Sequence, residues 1–353
     1  MKNTTANRLS RRHFLTAGTA ILSAPAILRA TRAGAQSNSL TFVTWGGAYR
    51  DSVYEGAIRP FTEATGIEVN IVDTPDLARV KAQVMTGNVE WDVFDAPGAL
   101  AFSGVNEDLW EELDPGMLDA SDLVVPPTDH LAPLYSFAGG IAWDPARHGE
   151  GAHPTTFEEY FDLSAFPGRR TFRDRPSETL EAALLADGVA PQDLYPLDVD
   201  RAFEVLERIK PSVASWVSAT PQTIALLRTG EVDFSYSYAS RVRTTNAGSG
   251  QNMAFSFEET LNGLEYLAVL KNAPNRENAM RFVAFALSPE VQAQTMERLA
   301  NAPVSRAALP LMTDAALEWI PDLSEPKNVL MNDAWWADNF EDVTRRFKEW
   351  VLF

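Results

Sequence analysis

The sequence predicts an α/β protein of two lobes, each a parallel sheet with helices on its faces. Three observations carry that expectation. Strand and helix alternate over residues 40–95, the alternation returns over 155–287, and no repeat or low-complexity linker separates the two regions.

The elements follow in order. Leu40 to Trp45 is an apolar, β-branched run that predicts a strand, broken by Gly46-Gly47. From Ala48 to Ala64, Tyr49, Val53, Ala57 and Phe61 recur on one stripe, which predicts a helix ended by Gly66. Ile67 to Val72 predicts the second strand, Leu77 to Met85 a short helix before Gly87, and Trp91 to Asp95 the third strand. In the middle of the chain, helical spacing covers Thr155–Leu163, Ser177–Asp187, Asp200–Ile209 and Gln222–Arg228. Gly230 stops the last of these, and Val232 to Tyr238 follows as a strand. Leu264 to Leu270 predicts another strand, before an amphipathic helix over Arg276–Leu287. Ala138–Trp143 and Leu264–Val269 are the candidate crossings between lobes. The expected division is 37–140 plus 265–304 for the first lobe and 141–264 plus 305–353 for the second.

The N-terminal stretch belongs to neither lobe. Ser10-Arg11-Arg12-His13-Phe14-Leu15 resembles a twin-arginine export motif, and the apolar run Leu15–Leu28 follows it. Ala33-Gly34-Ala35 offers small residues for cleavage before Gln36, so residues 1–35 are expected to be a twin-arginine signal peptide. The run is too short and too rich in Ala, Thr and Ser to span a membrane, which takes about 20 apolar residues.

Composition narrows the function. The whole chain carries a net charge of −18; residues 1–35 hold six basic and no acidic residues, leaving −24 on the remainder. Such a surface repels nucleic acid and anionic membranes and mildly favours cationic solutes. Without cysteine there is no disulfide, no thiol nucleophile, no Cys-ligated metal and no N-terminal lipid anchor. His130, His148 and His153 lack metal-site spacing, so no metal, cofactor or catalytic residue is expected.

Six landmarks in order then resemble one family. They are Thr44-Trp45-Gly46-Gly47-Ala48-Tyr49, Phe61 to Val69, Trp91-Asp92-Val93, Gly230-Glu231-Val232-Asp233, Ser288 to Ala293, and Trp335 to Phe340. Together they are similar to the extracytoplasmic solute-binding proteins of ABC importers, in the polyamine (spermidine/putrescine)-binding-like family. The resemblance implies the two-lobe, type II periplasmic binding protein fold, hinged by crossing strands and closing on one small solute. It also implies a monomeric periplasmic receptor that delivers a small cationic or zwitterionic solute, a polyamine or ω-amino acid, to an ABC permease. The twin-arginine translocase would be its export partner.

Site residues follow from both routes. Ligands of open parallel sheets sit beyond the carboxyl ends of strands, where Trp45, Asp95 and Tyr238 stand. The resemblance makes Trp45 and Tyr49 walls of an aromatic box around an amine; both could equally pack in the lobe. Asp95 could meet a ligand ammonium or cap the loop before Pro97. Tyr236 and Tyr238 share one strand face; by the resemblance Tyr238 matches a ligand-stacking position and Arg241 a basic one.

Glu265, with Asn262 and Tyr266 beside it, falls at an acidic position of the family. Arg241 and Glu265 together suit a zwitterion, with a mutual salt bridge as the alternative. Glu178 matches a carboxylate for a distal amine, or is a helix-start acid. Gln222 stands where a loop enters a helix and could meet a ligand carboxylate. Asn301-Ala302 and Gly98-Ala99 lack the aromatics of polyamine binders. The alternatives are a secreted carboxylate-based hydrolase, a ferric-ion-binding receptor using the paired tyrosines, or a receptor serving a chemosensor.

Overall fold

The computed structural model describes residues 38–250 and 252–352; the expected signal peptide lies outside them. Eleven strands among the described residues form one mixed sheet. They are β1 (Ser39–Thr44), β2 (Glu68–Asp73), β3 (Val93–Pro97), β4 (Leu131–Trp143), β5 (Arg170–Arg173), β6 (Val213–Val217), β7 (Phe234–Tyr238), β8 (Ala254–Phe255), β9 (Thr260–Val269), β10 (Ala302–Pro303) and β11 (Asn328–Leu330). The main path runs β2-β1-β3-β9-β4-β7-β5-β6. Each end is parallel as predicted: β1 with β2 and β3, and β5 with β6 and β7. The centre is not. β9 pairs antiparallel with both β3 and β4, and β4 antiparallel with β7. Long strands that leave and re-enter a lobe run in opposite directions, so the two parallel sheets fuse through an antiparallel pair.

Two groups of buried side chains flank that pair. The first joins Phe42, Phe61, Phe94, Trp110, Leu267 and Phe282. Phe282 meets Phe42 and Phe61 with ring centroids 5.1 and 5.2 Å apart. The second joins Phe157, Tyr160, Phe172, Leu206, Phe234 and Trp336, with a satellite around Ile224, Leu227 and Val242. Ala308, Met312 and Ala316 pack in the first core, although the sequence division gave 305–353 to the second lobe.

Several segments depart from expectation for local reasons. The predicted helix over 48–64 is helical throughout, but Tyr54–Ile58 is a π turn between Ala48–Val53 and Arg59–Thr65. Gly56 in that turn lies so close to the Pro289–Leu299 helix that an added Cβ would sit 2.4 Å from the Thr295 hydroxyl. Gly66 ends the run at φ 71°, donating to the Thr62 carbonyl. β3 starts at Val93 rather than Trp91 because the buried Asp92 carboxylate is a tie. It accepts from the backbone N–H of Thr41 and of Asn275, both at 2.7 Å. β5, the edge strand β6 and the 20-residue Asp333–Leu352 helix were not anticipated. No described helix is long and apolar enough to cross a membrane.

Candidate functional site

A cavity of about 400 Å³ opens where β1, β3 and β7 end. One wall begins at Trp45, just past β1, whose indole N–H donates to Glu265 Oε1 at 2.7 Å. Tyr49, at the start of the next helix, donates its hydroxyl to Asp95 Oδ2 at 2.9 Å. The same oxygen accepts from Thr44 Oγ1 at 2.6 Å. Asp95 itself is fully buried below the cavity, and its Oδ1 has no ordinary donor. The neighbouring Glu265 carboxyl is the group that can donate to it when protonated.

Asp95 and Glu265 reach each other because β3 and β9 pair Asp95 with Leu267 and Pro97 with Glu265. The two acids are therefore diagonal neighbours on one face. Burial raises the pKa of both, and each charge opposes the other's ionisation. Asp95, with donors from Thr44 and Tyr49, is the better anion, so the shared proton resides on Glu265. Burial, then the neighbouring carboxylates, hold the Tyr49 and Tyr135 phenols well above 10.

The other wall comes from the second core. Tyr238, the last residue of β7, donates to Glu178 Oε2 at 2.8 Å. Arg175 donates to the same carboxylate at 2.7 Å and to the Tyr238 hydroxyl at 3.0 Å. Burial lifts the Tyr238 phenol to about 12, with Arg175 opposing and Glu178 reinforcing. Phe137 packs its ring edgewise on Tyr238 at 5.9 Å. Arg241 projects from the first turn of the Ala239–Ser249 helix into the cavity. Among the described residues its guanidinium has no hydrogen bond or ion pair. The alternative of an Arg241–Glu265 salt bridge is not what forms, since Glu265 is held by Trp45 and Asp95.

Of the residues predicted from sequence, Trp45, Tyr49, Tyr238, Arg241 and Glu265 line this one cavity. Asp95 supports it from beneath and does not line it. Three others stand elsewhere. Glu178 is fully buried behind Tyr238 and engaged with Arg175; it neither lines the cavity nor caps its helix by a side-chain bond. Its φ of 72°, unfavourable for a non-glycine residue, turns it into that pair. Gln222 is exposed two residues further along its helix, on roughly the opposite face from Thr220, which takes the cavity position. Asn262 is fully buried where β11 joins β9, donating to Thr260 Oγ1 at 2.9 Å and the Val329 carbonyl at 3.3 Å.

Sequence reasoning missed Tyr135, Phe137, Arg175 and Arg298. Tyr135 pairs directly with Glu265 across β4 and β9, a register invisible before the strands are paired. Ser240 and Thr244 also line the cavity, at the i, i+4 spacing of one face, and that signal was available. Gly98-Ala99 lacks an aromatic for a steric reason. A Cβ on Gly98 would stand 1.9 Å from the Asp333 carboxyl carbon.

Residues 56–322 match the family of bacterial extracellular solute-binding proteins. The chain belongs to that family. A γ-aminobutyric acid-binding protein of Pseudomonas aeruginosa is 32% identical over 334 residues, 91% of this chain and 93% of the relative. A solved GABA receptor superposes with a TM-score of 0.82 at 31% identity, covering 89% of this chain and 97% of that one. An ABC transporter substrate-binding protein from Bradyrhizobium japonicum gives 0.82 at 32% identity, with 88% and 99% covered. The fold is accordingly the two-lobe fold of periplasmic binding proteins, and the solute-binding protein places its cavity between the two cores. Among the described residues no group of three or more His, Asp or Glu could hold a metal ion.

Proposed function

We propose that this solute-binding protein is the periplasmic receptor of an ABC importer for a small zwitterion of the γ-aminobutyrate kind. One observation carries the reading: Arg241, without a hydrogen bond or ion pair among the described residues, and the buried Glu265 line one cavity of about 400 Å³. A guanidinium fork suits a carboxylate, and the Asp95–Glu265 pair, which carries one negative charge, accepts from an ammonium through Glu265. Trp45, Tyr135 and Tyr238 cover the carbon chain and favour the cationic end by about 0.5–2 kcal/mol each. The relative named for γ-aminobutyric acid supports the same class.

The lobes are taken as residues 38–137 with 263–320, and 138–262 with 328–352. Closure about β4 and β9 brings Arg241 toward Glu265. The molecule works as a single copy, binding its solute without converting it.

Thermal melts against γ-aminobutyrate, 5-aminovalerate and 1,4-diaminobutane test the reading. An ω-amino acid at 100 times its dissociation constant adds roughly 2.7 kcal/mol of stability, with the solute recovered unchanged. Stabilisation by the diamine alone, or consumption of the solute, would overturn it.

Residues 1–35 are proposed to export the folded chain through the twin-arginine translocase. Changing Arg11 and Arg12 together to lysine should leave the precursor in the cytoplasm. Undiminished processed protein in a periplasmic fraction would refute that route.

A further inference from the structure

A second guanidinium in the cavity is unaccounted for by a simple ω-amino acid. Arg298 stands in the last turn of the Pro289–Leu299 helix and lines the cavity with Leu299 and Asn301. Like Arg241, it has no hydrogen bond or ion pair among the described residues. Its helix packs through Val291 and Met296 into the first core, while that of Arg241 packs through Val242 into the satellite of the second. The two guanidiniums thus belong to different cores, and their helices meet where Arg243 donates to the Glu297 carbonyl at 3.3 Å. Arg298 shares its wall with Glu265 and Trp45.

A charge count shows what this arrangement asks of a solute. Arg175 is neutralised by Glu178 at 2.7 Å. Asp95 and Glu265 touch in a buried setting, where two carboxyls keep one proton and one negative charge between them. Arg241 and Arg298 add two positive charges, so the lining carries a net +1 inside a strongly acidic protein. A neutral zwitterion leaves one guanidinium unanswered. The shared core says where the missing anion goes: Arg298 and Glu265 stand on elements of the first core, so it belongs at the ammonium end. Arg298 also borders a shallow outer hollow with Glu290 and Glu297, neither within ion-pair distance of it. A basic residue in a last turn complements its own helix dipole by about 0.3–1 kcal/mol, which explains a basic residue there but not its position on the cavity.

We propose that the solute is an amino dicarboxylate, with one carboxylate on Arg241 and a second, next to the ammonium, on Arg298. This rests on the zwitterion reading and extends it from a neutral solute to a net monoanion.

Glutamate is γ-aminobutyrate with a carboxylate added at the amine-bearing carbon, and N-carboxymethyl-γ-aminobutyrate adds one on the nitrogen. Titration calorimetry on the mature protein should find at least one of them about ten-fold or more tighter than γ-aminobutyrate, a charge-assisted pair being worth roughly that factor. Arg298→Gln should collapse the ratio of affinities toward one, and Arg298→Lys should keep most of it. If neither dicarboxylate outbinds γ-aminobutyrate, or if Arg298→Gln lowers all three affinities by one factor, the inference is overturned and Arg298 only completes its helix. Failure of all three to bind while a diamine binds would overturn the zwitterion reading itself.

Discussion

Arg241→Ala is expected to weaken γ-aminobutyrate binding by about 2–5 kcal/mol while changing the affinity for 1,4-diaminobutane little. The asymmetry follows from the chemistry of the two ends. The diamine has no carboxylate to lose, and removing a cation near its second ammonium relieves repulsion. γ-Aminobutyrate loses its fork and keeps a carboxylate that closure would desolvate without a partner. Arg241 is exposed in this structure, so the loss should fall toward the lower end unless closure buries the guanidinium. Among the described residues this exposed side chain makes no hydrogen bond or ion pair that an alanine would remove, so the melting temperature of the free protein should hardly move. Calorimetry with both ligands decides the matter. Equal losses for the two would show that carboxylates alone recognise the solute.

The folded protein should also grow more stable as pH falls from 8 to about 5, through acids buried beside the hinge. Glu181 accepts from the Tyr195 hydroxyl and the Trp336 indole, both at 2.6 Å, while its second oxygen is buried with no partner. Burial raises it to about 7, against those two hydrogen bonds. Asp333 is raised to about 7 by burial; a Tyr266 hydrogen bond opposes this and the Glu181 charge adds to it. Both acids hold a proton in the folded state at pH values where the unfolded chain has lost it. Stability therefore declines as pH rises from the unfolded value near 4 through about 7, then levels off.

Each acid contributes on the order of 3 kcal/mol across that window. Below it the opposite limb begins. Asp187, held low by its hydrogen bonds to Arg208 and Arg201, takes up a proton and loses that stabilisation. Melting temperatures should fall from pH 5 through 7 and flatten toward 8, and Glu181→Gln should reduce the slope because the amide mimics the protonated acid. A flat wild-type profile, or an unchanged slope in Glu181→Gln, would remove these acids as the cause.

The sequence by itself determined the alternation of strands and helices, the aromatic pair after the first strand, and the two charges that face the cavity. Those features are local. Period, turn residues and residue type are written into short windows, so Tyr49, Val53, Ala57 and Phe61 place a helix face, and Gly66 ends it. Trp45 and Tyr238 could be placed because strand ends are where such sheets bind ligands.

Tertiary structure alone decided which acids serve the cavity and which serve the scaffold. Glu178 and Glu265 look alike in sequence, yet one is spent on Arg175 and Tyr238 while the other shares a proton with Asp95. Pairing across β3, β9 and β4 brings Asp95, Glu265 and Tyr135 together from positions far apart in the chain. The antiparallel centre of the sheet, the burial of Asn262 and the approach of Arg298 from a separate helix depend on the same long-range pairing. A charge buried in a packed protein acquires its role from whatever neighbour the fold delivers to it, and no window of sequence contains that neighbour.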